Sequence, residues 1–246
     1  MALRGKGMLV VFTEVKPRHE RDLNEWYNRE HIDERVNLPG FHRARRYVAV
    51  KGSPKYLATY ECDSVKDLAT PGYLHLLANQ TPWSQSVTGR FTHFTRMTLR
   101  VQLDLTHGEG GALTTVRFAP NPAMRRTLVD WLKKALPAAI AKPGMVGAAV
   151  LENDVEIANA PAAQRSMDHP KADQAEWLVL LEGADPAVTA SAARTVFKTA
   201  ALKPFGVERG VDPVRALSST GIDARRRPET LDLAEMAALA GAFSRP

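Results

Sequence analysis

The hydrophobic pattern of this chain runs twice through the same series of strands and helices. Apolar, β-branched runs predict strands at 8–15, 41–50, 55–62 and 90–103, and again at 112–119, 145–151, 176–182 and 207–217. Helical stretches are predicted at 18–36, 64–79, 122–141 and 185–201. Each series therefore has the order β-α-β-β-α-β. In both series the first helix ends at a Pro-Gly pair, because proline cannot continue a helix.

A duplication explains this repetition and sets the domain boundaries. The glycine-rich segment 108–111 stands between the two series and is typical of a linker. The predicted domains are a first repeat at 1–107, a second, diverged repeat at 108–220 and a tail at 221–246 with a short helix at 231–243. Pro213 places the last strand at a sheet edge, since proline cannot donate a ladder hydrogen bond.

The first strand indicates how the two repeats pack together. It is apolar on both faces, with Met8, Val10 and Phe12 on one and Leu9, Val11 and Val15 on the other. Both faces of its sheet must therefore be buried. Helices can cover one face, and the simplest cover for the other is the sheet of the second repeat. Two such sheets packed face to face form a barrel with the helices outside.

The first helices of the two repeats differ in one informative respect. Positions three and four apart share a helix face. In the second repeat that face is apolar throughout: Leu128, Trp131, Leu132, Ala135, Leu136 and Ala139. In the first repeat it begins apolar and turns polar: Leu23, Trp26, Tyr27, Glu30, His31 and Glu34. A buried charge without a partner is costly, so this polar end predicts the wall of a ligand pocket.

Candidate site residues follow from that stripe and from aromatic and polar positions elsewhere in the first repeat. His31 is predicted to transfer a proton, since an ordinary histidine titrates near pH 6.5. Tyr27 is a second catalytic candidate, and Glu30 either orients His31 or pairs with a surface arginine. The ligand-binding candidates are Trp26, Tyr60, Trp83, His93 and Arg45. Each also has a purely structural interpretation, as core, helix-end or solvated surface.

Composition narrows the function classes. The net charge is +6, but the basic residues are scattered, so no nucleic-acid partner is predicted. The single cysteine excludes an intramolecular disulfide and a cysteine metal cluster. No metal site is predicted, because the sequence has no His-Glu-x-x-His pattern and the i, i+3 spacing of His31 and Glu34 is common by chance. No apolar run approaches the roughly 20 residues of a membrane span, so neither a membrane partner nor a location outside the cytoplasm is expected.

The segment Glu25–Phe41, with its Trp-Tyr, Glu-His and Leu-Pro-Gly-Phe elements, resembles EthD-like proteins of the dimeric α/β-barrel superfamily. The segment Tyr56–Glu61 resembles their third strand, and the likeness extends over about the first hundred residues. The resemblance implies an α+β fold of two ferredoxin-like repeats, paired here within one chain as an α/β barrel. Tandem fusion departs from the usual single-repeat protomer and favours one site per chain.

The resemblance also bounds the activity, since the superfamily includes cofactor-free monooxygenases, isomerases, dehydratases, haem-binding proteins and ligand-sensing domains. We predict a cofactor-independent enzyme, of isomerase, lyase/dehydratase or monooxygenase type, that acts on a small, partly apolar or aromatic metabolite. The alternatives are a non-catalytic ligand-binding or sensor module, and a haem-binding protein. A small molecule is the expected partner, and a homodimer is compatible with the sequence.

Overall fold

The computed structural model describes residues 3–50, 53–160, 175–207 and 212–219. The predicted tail with its helix lies outside these residues. So does most of the loop at 153–175.

Eight strands are present in the described residues, near the predicted positions. They are β1 (Gly7–Val15), β2 (Phe41–Ala49), β3 (Tyr56–Cys62), β4 (Phe91–Asp104), β5 (Ala112–Phe118), β6 (Met145–Asn153), β7 (Trp177–Gly183) and β8 (Asp212–Ser219).

The helices are more broken than the sequence predicts. They are α1 (Glu20–Trp26), a π-helical turn (Tyr27–His31), α2 (Ile32–Val36), α3 (Pro71–Ala78), α4 (Pro82–Thr88), α5 (Arg125–Ile140), α6 (Val155–Asn159), α7 (Pro186–Val196) and α8 (Thr199–Leu202). Short 3-10 turns precede α1, α3 and α5 and follow α8. The sequence did not predict α4, α6 or the π-helical turn. None of the described helices is both long and apolar enough to cross a bilayer.

The strands close into one antiparallel barrel in the order β1-β3-β2-β8-β5-β7-β6-β4. Each repeat supplies four neighbouring strands, β4-β1-β3-β2 from the first and β8-β5-β7-β6 from the second, which is the ferredoxin-like order. The repeats join where β2 pairs with β8 and where β4 pairs with β6. The predicted α+β class, the tandem repeat and the barrel are therefore confirmed.

The prediction that Pro213 places the last strand at an edge is wrong. Strand β8 pairs with β5 on one side and β2 on the other, and so closes the barrel. Only Leu217, Ser218 and Ser219 pair with β2, so Pro213 lies before that ladder begins. Its missing N–H group is therefore not needed there.

The core has three layers, and β1 contributes to two of them. Met8, Val10 and Phe12 lie inside the barrel. The alternate residues, including Leu9 and Val11, pack under the helices of the first repeat. A third cluster fills the same space in the second repeat. The burial predicted for both faces of β1 is therefore confirmed. Each repeat has its own core between its helices and its sheet.

Candidate functional site

The π-helical turn changes which residues face the sheet. Up to this turn the predicted stripe holds, because Leu23, Trp26 and Tyr27 are buried. Beyond it the buried residues are Ile32 and Arg35, whereas the predicted stripe continued to Glu34. A π-turn inserts one residue into a helix, so every later position rotates by about 100°. Glu34 is consequently only partly buried, and Arg35 takes the inward position.

Histidine 31, the last residue of the π-helical turn, lies among aromatic rings. The Trp26 ring stacks on its imidazole with centroids 4.1 Å apart. Tyr27 and Tyr60 meet it edge-on at 5.2 and 6.1 Å. The Nδ1 atom is buried and has no hydrogen-bond partner among the described residues. His31 as a whole is only partly buried, so its accessible surface lies away from Nδ1.

The surroundings of His31 set its charge. Burial lowers its pKa well below 6.5, and the positive charges of Arg35 and Arg46 lower it further. At neutral pH the imidazole is therefore uncharged. This corrects the expectation of an unperturbed histidine that could serve equally as acid or base.

The two tyrosines beside His31 stay protonated. Burial raises the pKa of Tyr27 above its ordinary value and raises that of Tyr60 well above it. The Tyr60 hydroxyl is fully buried and makes no hydrogen bond of ordinary geometry with the described residues. Both phenols can therefore donate hydrogen bonds to a ligand at neutral pH.

Two arginines flank the floor of the site on the sheet. The strand register places Arg96, Val11, Ala58 and Arg46 side by side on β4, β1, β3 and β2. Val11 packs with the helix-side core, so this row faces the helices. Val11 and Ala58 thus lie between the two arginine side chains. The Arg46 guanidinium lies 4.0 Å from the centre of the Tyr27 ring, and burial lowers the Arg46 pKa.

A third arginine reaches the site from α2. Arg35 is 4% exposed, and its Nη1 atom has no hydrogen-bond partner in the described structure. Its guanidinium lies 5.5 Å from the centre of the Tyr73 ring on α3. Arg96 lies 5.8 Å from the same ring and donates a long hydrogen bond of 3.4 Å to the Tyr73 hydroxyl. Tyr73 therefore connects Arg35 with Arg96.

The second repeat has no equivalent of this cluster. Because Gly40 matches Gly144 and β2 matches β6, Arg35 corresponds to Ala139 and Arg46 to Val150. Tyr60 corresponds to Leu181 in the matching third strands. These three counterparts belong to the apolar core of the second repeat. One candidate site per chain, in the first repeat, follows from this comparison.

The structure brings together four of the predicted site residues: His31, Tyr27, Tyr60 and Trp26. It places Glu30 elsewhere. The Glu30 carboxylate accepts hydrogen bonds from Trp26, Thr81 and Ser84, so it fastens the helix to α4. Neither predicted role is observed, because Glu30 does not orient His31 and forms no ion pair with an arginine in the described chain. Within the π-turn, the side chain of Glu30 points toward α4 and that of His31 points toward the aromatic cluster.

The predicted contributions of Arg45, His93 and Trp83 are not observed. Arg45 lies on the barrel side of β2, opposite Arg46, where it pairs with Glu182. His93 is exposed, and its Nε2 atom lies 3.0 Å from the Thr95 hydroxyl. The Trp83 ring packs at the edge of the first-repeat core, and its N–H donates to Asp22. Strand alternation explains the positions of Arg45 and His93, since neighbouring residues of a strand point to opposite faces of the sheet.

Sequence reasoning missed Arg35, Arg46 and Arg96. One signal for Arg35 was available, because Gly40 follows Tyr27 by 13 positions whereas Gly144 follows Leu132 by 12. The first repeat thus carries one extra residue at the place where the π-turn forms. For Arg46 and Arg96 the alternation of the strands was visible. Which parity faces the helices required the tertiary structure.

No group of three or more metal-ligating side chains is found within the described ranges.

Comparison with known proteins supports the fold. No protein-family model and no curated protein matches the sequence. Among solved structures, an anthrone oxidase-like protein superposes with a TM-score of 0.59 at 14% identity, over 92% of this chain and 97% of that one. A putative monooxygenase from Lactobacillus acidophilus NCFM gives 0.51 at 13% identity, covering 87% and 94%. A putative chlorite dismutase gives 0.52 at 12%, covering 89% and 96%. At these identities the likeness establishes the tandem ferredoxin-like barrel alone.

Proposed function

We propose that this chain is an EthD-like, cofactor-independent enzyme that removes a proton from a small, partly aromatic substrate. One observation carries the proposal: an uncharged, partly accessible histidine lies beside two protonated tyrosines and two arginines. A neutral imidazole can accept a proton, and the groups around it favour the negative charge that then develops.

Each group has a distinct role in this step. The accessible edge of His31 accepts the proton from a carbon or oxygen of the substrate. The protonated Tyr60 hydroxyl donates a hydrogen bond to the resulting enolate or phenolate oxygen. Arg35 and Arg46 add positive charge where bulk water is excluded, and there it acts more strongly than in solution. Trp26 stacks on His31 and holds the orientation of its ring.

The same first step serves all three predicted reaction types. The anion is reprotonated at another atom in an isomerase, expels a leaving group in a dehydratase, and reacts with dioxygen in a monooxygenase. Two fold neighbours are described as an anthrone oxidase-like protein and a putative monooxygenase, which supports the third type.

Turnover of enolisable aromatic ketones and phenols tests the proposal. We expect His31→Gln to lower kcat by at least about 100-fold, the usual contribution of a general base, with little change in Tm. His93→Gln is the matched control, because His93 is exposed on the other side of β4. Equal kcat in His31→Gln and the wild type would refute the proposal. Binding without turnover in every variant would identify a binding module instead.

The residues present do not fit haem binding through the Nδ1 atom of His31. The Nδ1 atom is fully buried, and three aromatic rings have centroids within 6.1 Å of the imidazole centre. A porphyrin would have to displace these rings to reach the site. Addition of haemin to the purified protein is expected to give no Soret shift that depends on His31.

A further inference from the structure

The three arginines of the site lack the carboxylate partners that two other arginines of the first repeat have. Arg43 and Arg45, on the barrel side of β2, are paired with Glu61 and Glu182. Arg35, Arg46 and Arg96 form no ion pair with any carboxylate of the described residues. Glu34, the nearest acidic neighbour in sequence, also makes no ion pair with Arg35.

Two of these arginines, Arg35 and Arg96, meet at Tyr73. Arg35 Nη1 and Arg96 Nε are buried without a hydrogen-bond partner in the part of the chain that is described, and the buried Tyr60 hydroxyl interacts there with the Tyr27 hydroxyl. Tyr73 contacts both Arg35 and Arg96, and Arg35 acts electrostatically on Tyr60. Arg46 also acts electrostatically on Tyr60, from the β2 side of the site. Its guanidinium donates a hydrogen bond of 2.7 Å to the neutral amide oxygen of Asn24.

Cations without ion pairs and buried donors without acceptors destabilise the ligand-free protein. Buried cations need a counter-charge, and buried donors need acceptors. An anionic ligand group would supply both, since a carboxylate has two oxygens and accepts from guanidinium and phenol donors. Several uncompensated donors in one place are therefore what a carboxylate site requires.

We propose that the pocket binds the carboxylate of a small aromatic acid through Arg35, Arg46 and Arg96. The binding of a carboxylate stands by itself, whereas the statement that the bound acid is the substrate rests on the proposed function. It names the substrate class as an aromatic molecule that carries a carboxylate beside its acidic C–H or O–H group.

The apolar side of the same space fits the aromatic body of that ligand. Phe91 lies edge-on to Trp26 with centroids 6.5 Å apart, and Phe94 stacks on Phe91 at 5.6 Å. Phe94 has the same parity on β4 as Arg96. The cations bind the carboxylate and the aromatic rings contact the body of the ligand, so the two together orient it.

Calorimetric titration with 2-naphthoate and its neutral analogue 2-naphthamide tests the inference on the full chain. We expect naphthoate to bind at least about tenfold more tightly than naphthamide, the effect of one or more charge-assisted hydrogen bonds. Arg35→Met and Arg46→Met should each abolish that preference. Arg100→Met is the control, because Arg100 is exposed and pairs with Asp154.

Two further results separate this inference from the proposed function. His31→Gln should still bind naphthoate, so a loss of turnover with intact binding leaves the carboxylate site standing. Arg35→Met should keep or raise Tm, because it removes an unpaired buried cation. Equal binding of acid and amide to the wild type, or unchanged acid binding in both arginine variants, would overturn the inference. If Arg35→Met fails to fold, Arg96→Met gives the same comparison.

Discussion

At the scale of single residues, the site is defined by groups whose surroundings oppose their ordinary charge state or leave them unpaired. His31 is kept neutral by burial and by two neighbouring cations. Tyr60 is kept protonated by burial. Perturbed groups of this kind concentrate at functional sites, because chemistry needs them and stability does not.

The state of His31 gives a pH dependence of stability. Its pKa is lowered in the folded protein, so below about pH 6.5, the pKa of an ordinary histidine, the unfolded chain binds a proton that the folded chain does not. The free energy of unfolding should therefore fall on acidification, by up to about 1.4 kcal/mol per pH unit from this group. Urea titrations between pH 7.5 and 5.5 measure the slope.

His31→Gln should have a shallower slope over this range than the wild type. His93→Gln should keep the wild-type slope, since its ring is exposed. Identical slopes in the wild type and His31→Gln would mean that His31 does not carry the effect.

At the scale of elements, the π-helical turn decides which side chains meet the sheet. It lets Trp26 and Tyr27, where the turn begins, face the same way as Ile32 and Arg35 after it. The matching helix α5 keeps a regular spacing of buried residues from Leu128 to Ala139. The difference between the two helices is one inserted residue, which is a common origin of π-turns at functional sites.

Deletion of Asn28, an exposed residue of the turn, should convert it to a regular helix without unfolding the protein. The flanking faces, with Arg35 on one of them, stay aligned, so Tm should change little, whereas turnover should be lost as His31 is displaced. Circular dichroism melts and turnover assays measure the two effects.

Deletion of Lys134 in α5 is the matched control. It should rotate Leu136 and Ala139 away from the core by about 100° and unfold the protein. A deletion of Asn28 that is as damaging as the deletion of Lys134 would contradict the assignment of an inserted residue.

At the scale of the whole molecule, the barrel makes one unit of the two repeats. Two strand pairings join them, and the buried pair Arg45–Glu182 connects β2 with β7 from inside. Glu182 also accepts a hydrogen bond from the backbone of Gly110 in the linker.

Breaking this pair should weaken the whole barrel. Arg45→Met leaves the buried Glu182 carboxylate without a counter-charge, and such losses amount to about 3–5 kcal/mol. Urea unfolding should show that loss in a single transition. The double variant Arg45→Met with Glu182→Leu should recover most of it, because neither charge remains. No recovery in the double variant would show that the two residues act independently.

The sequence by itself determined the order of elements, the duplication and the barrel. These depend on local periodicity, on the Pro-Gly stops and on the two apolar faces of β1, all of which are written in neighbouring residues. It also determined that the polar site lies in the first repeat, because a helix face that should be apolar was not. His31, Tyr27 and Trp26 were found in this way, and Tyr60 was found from the polar positions of the third strand.

The tertiary structure alone decided the remaining features. Strand parity is visible in a sequence, but the face that meets the helices is set by the register of the sheet. Arg46 therefore enters the site while Arg45 pairs across the barrel. The π-turn is stable only because the residues on both sides of it are buried together, and that turn brings in Arg35 instead of Glu34. Long-range packing, which no local pattern encodes, thus selected the charges of the site.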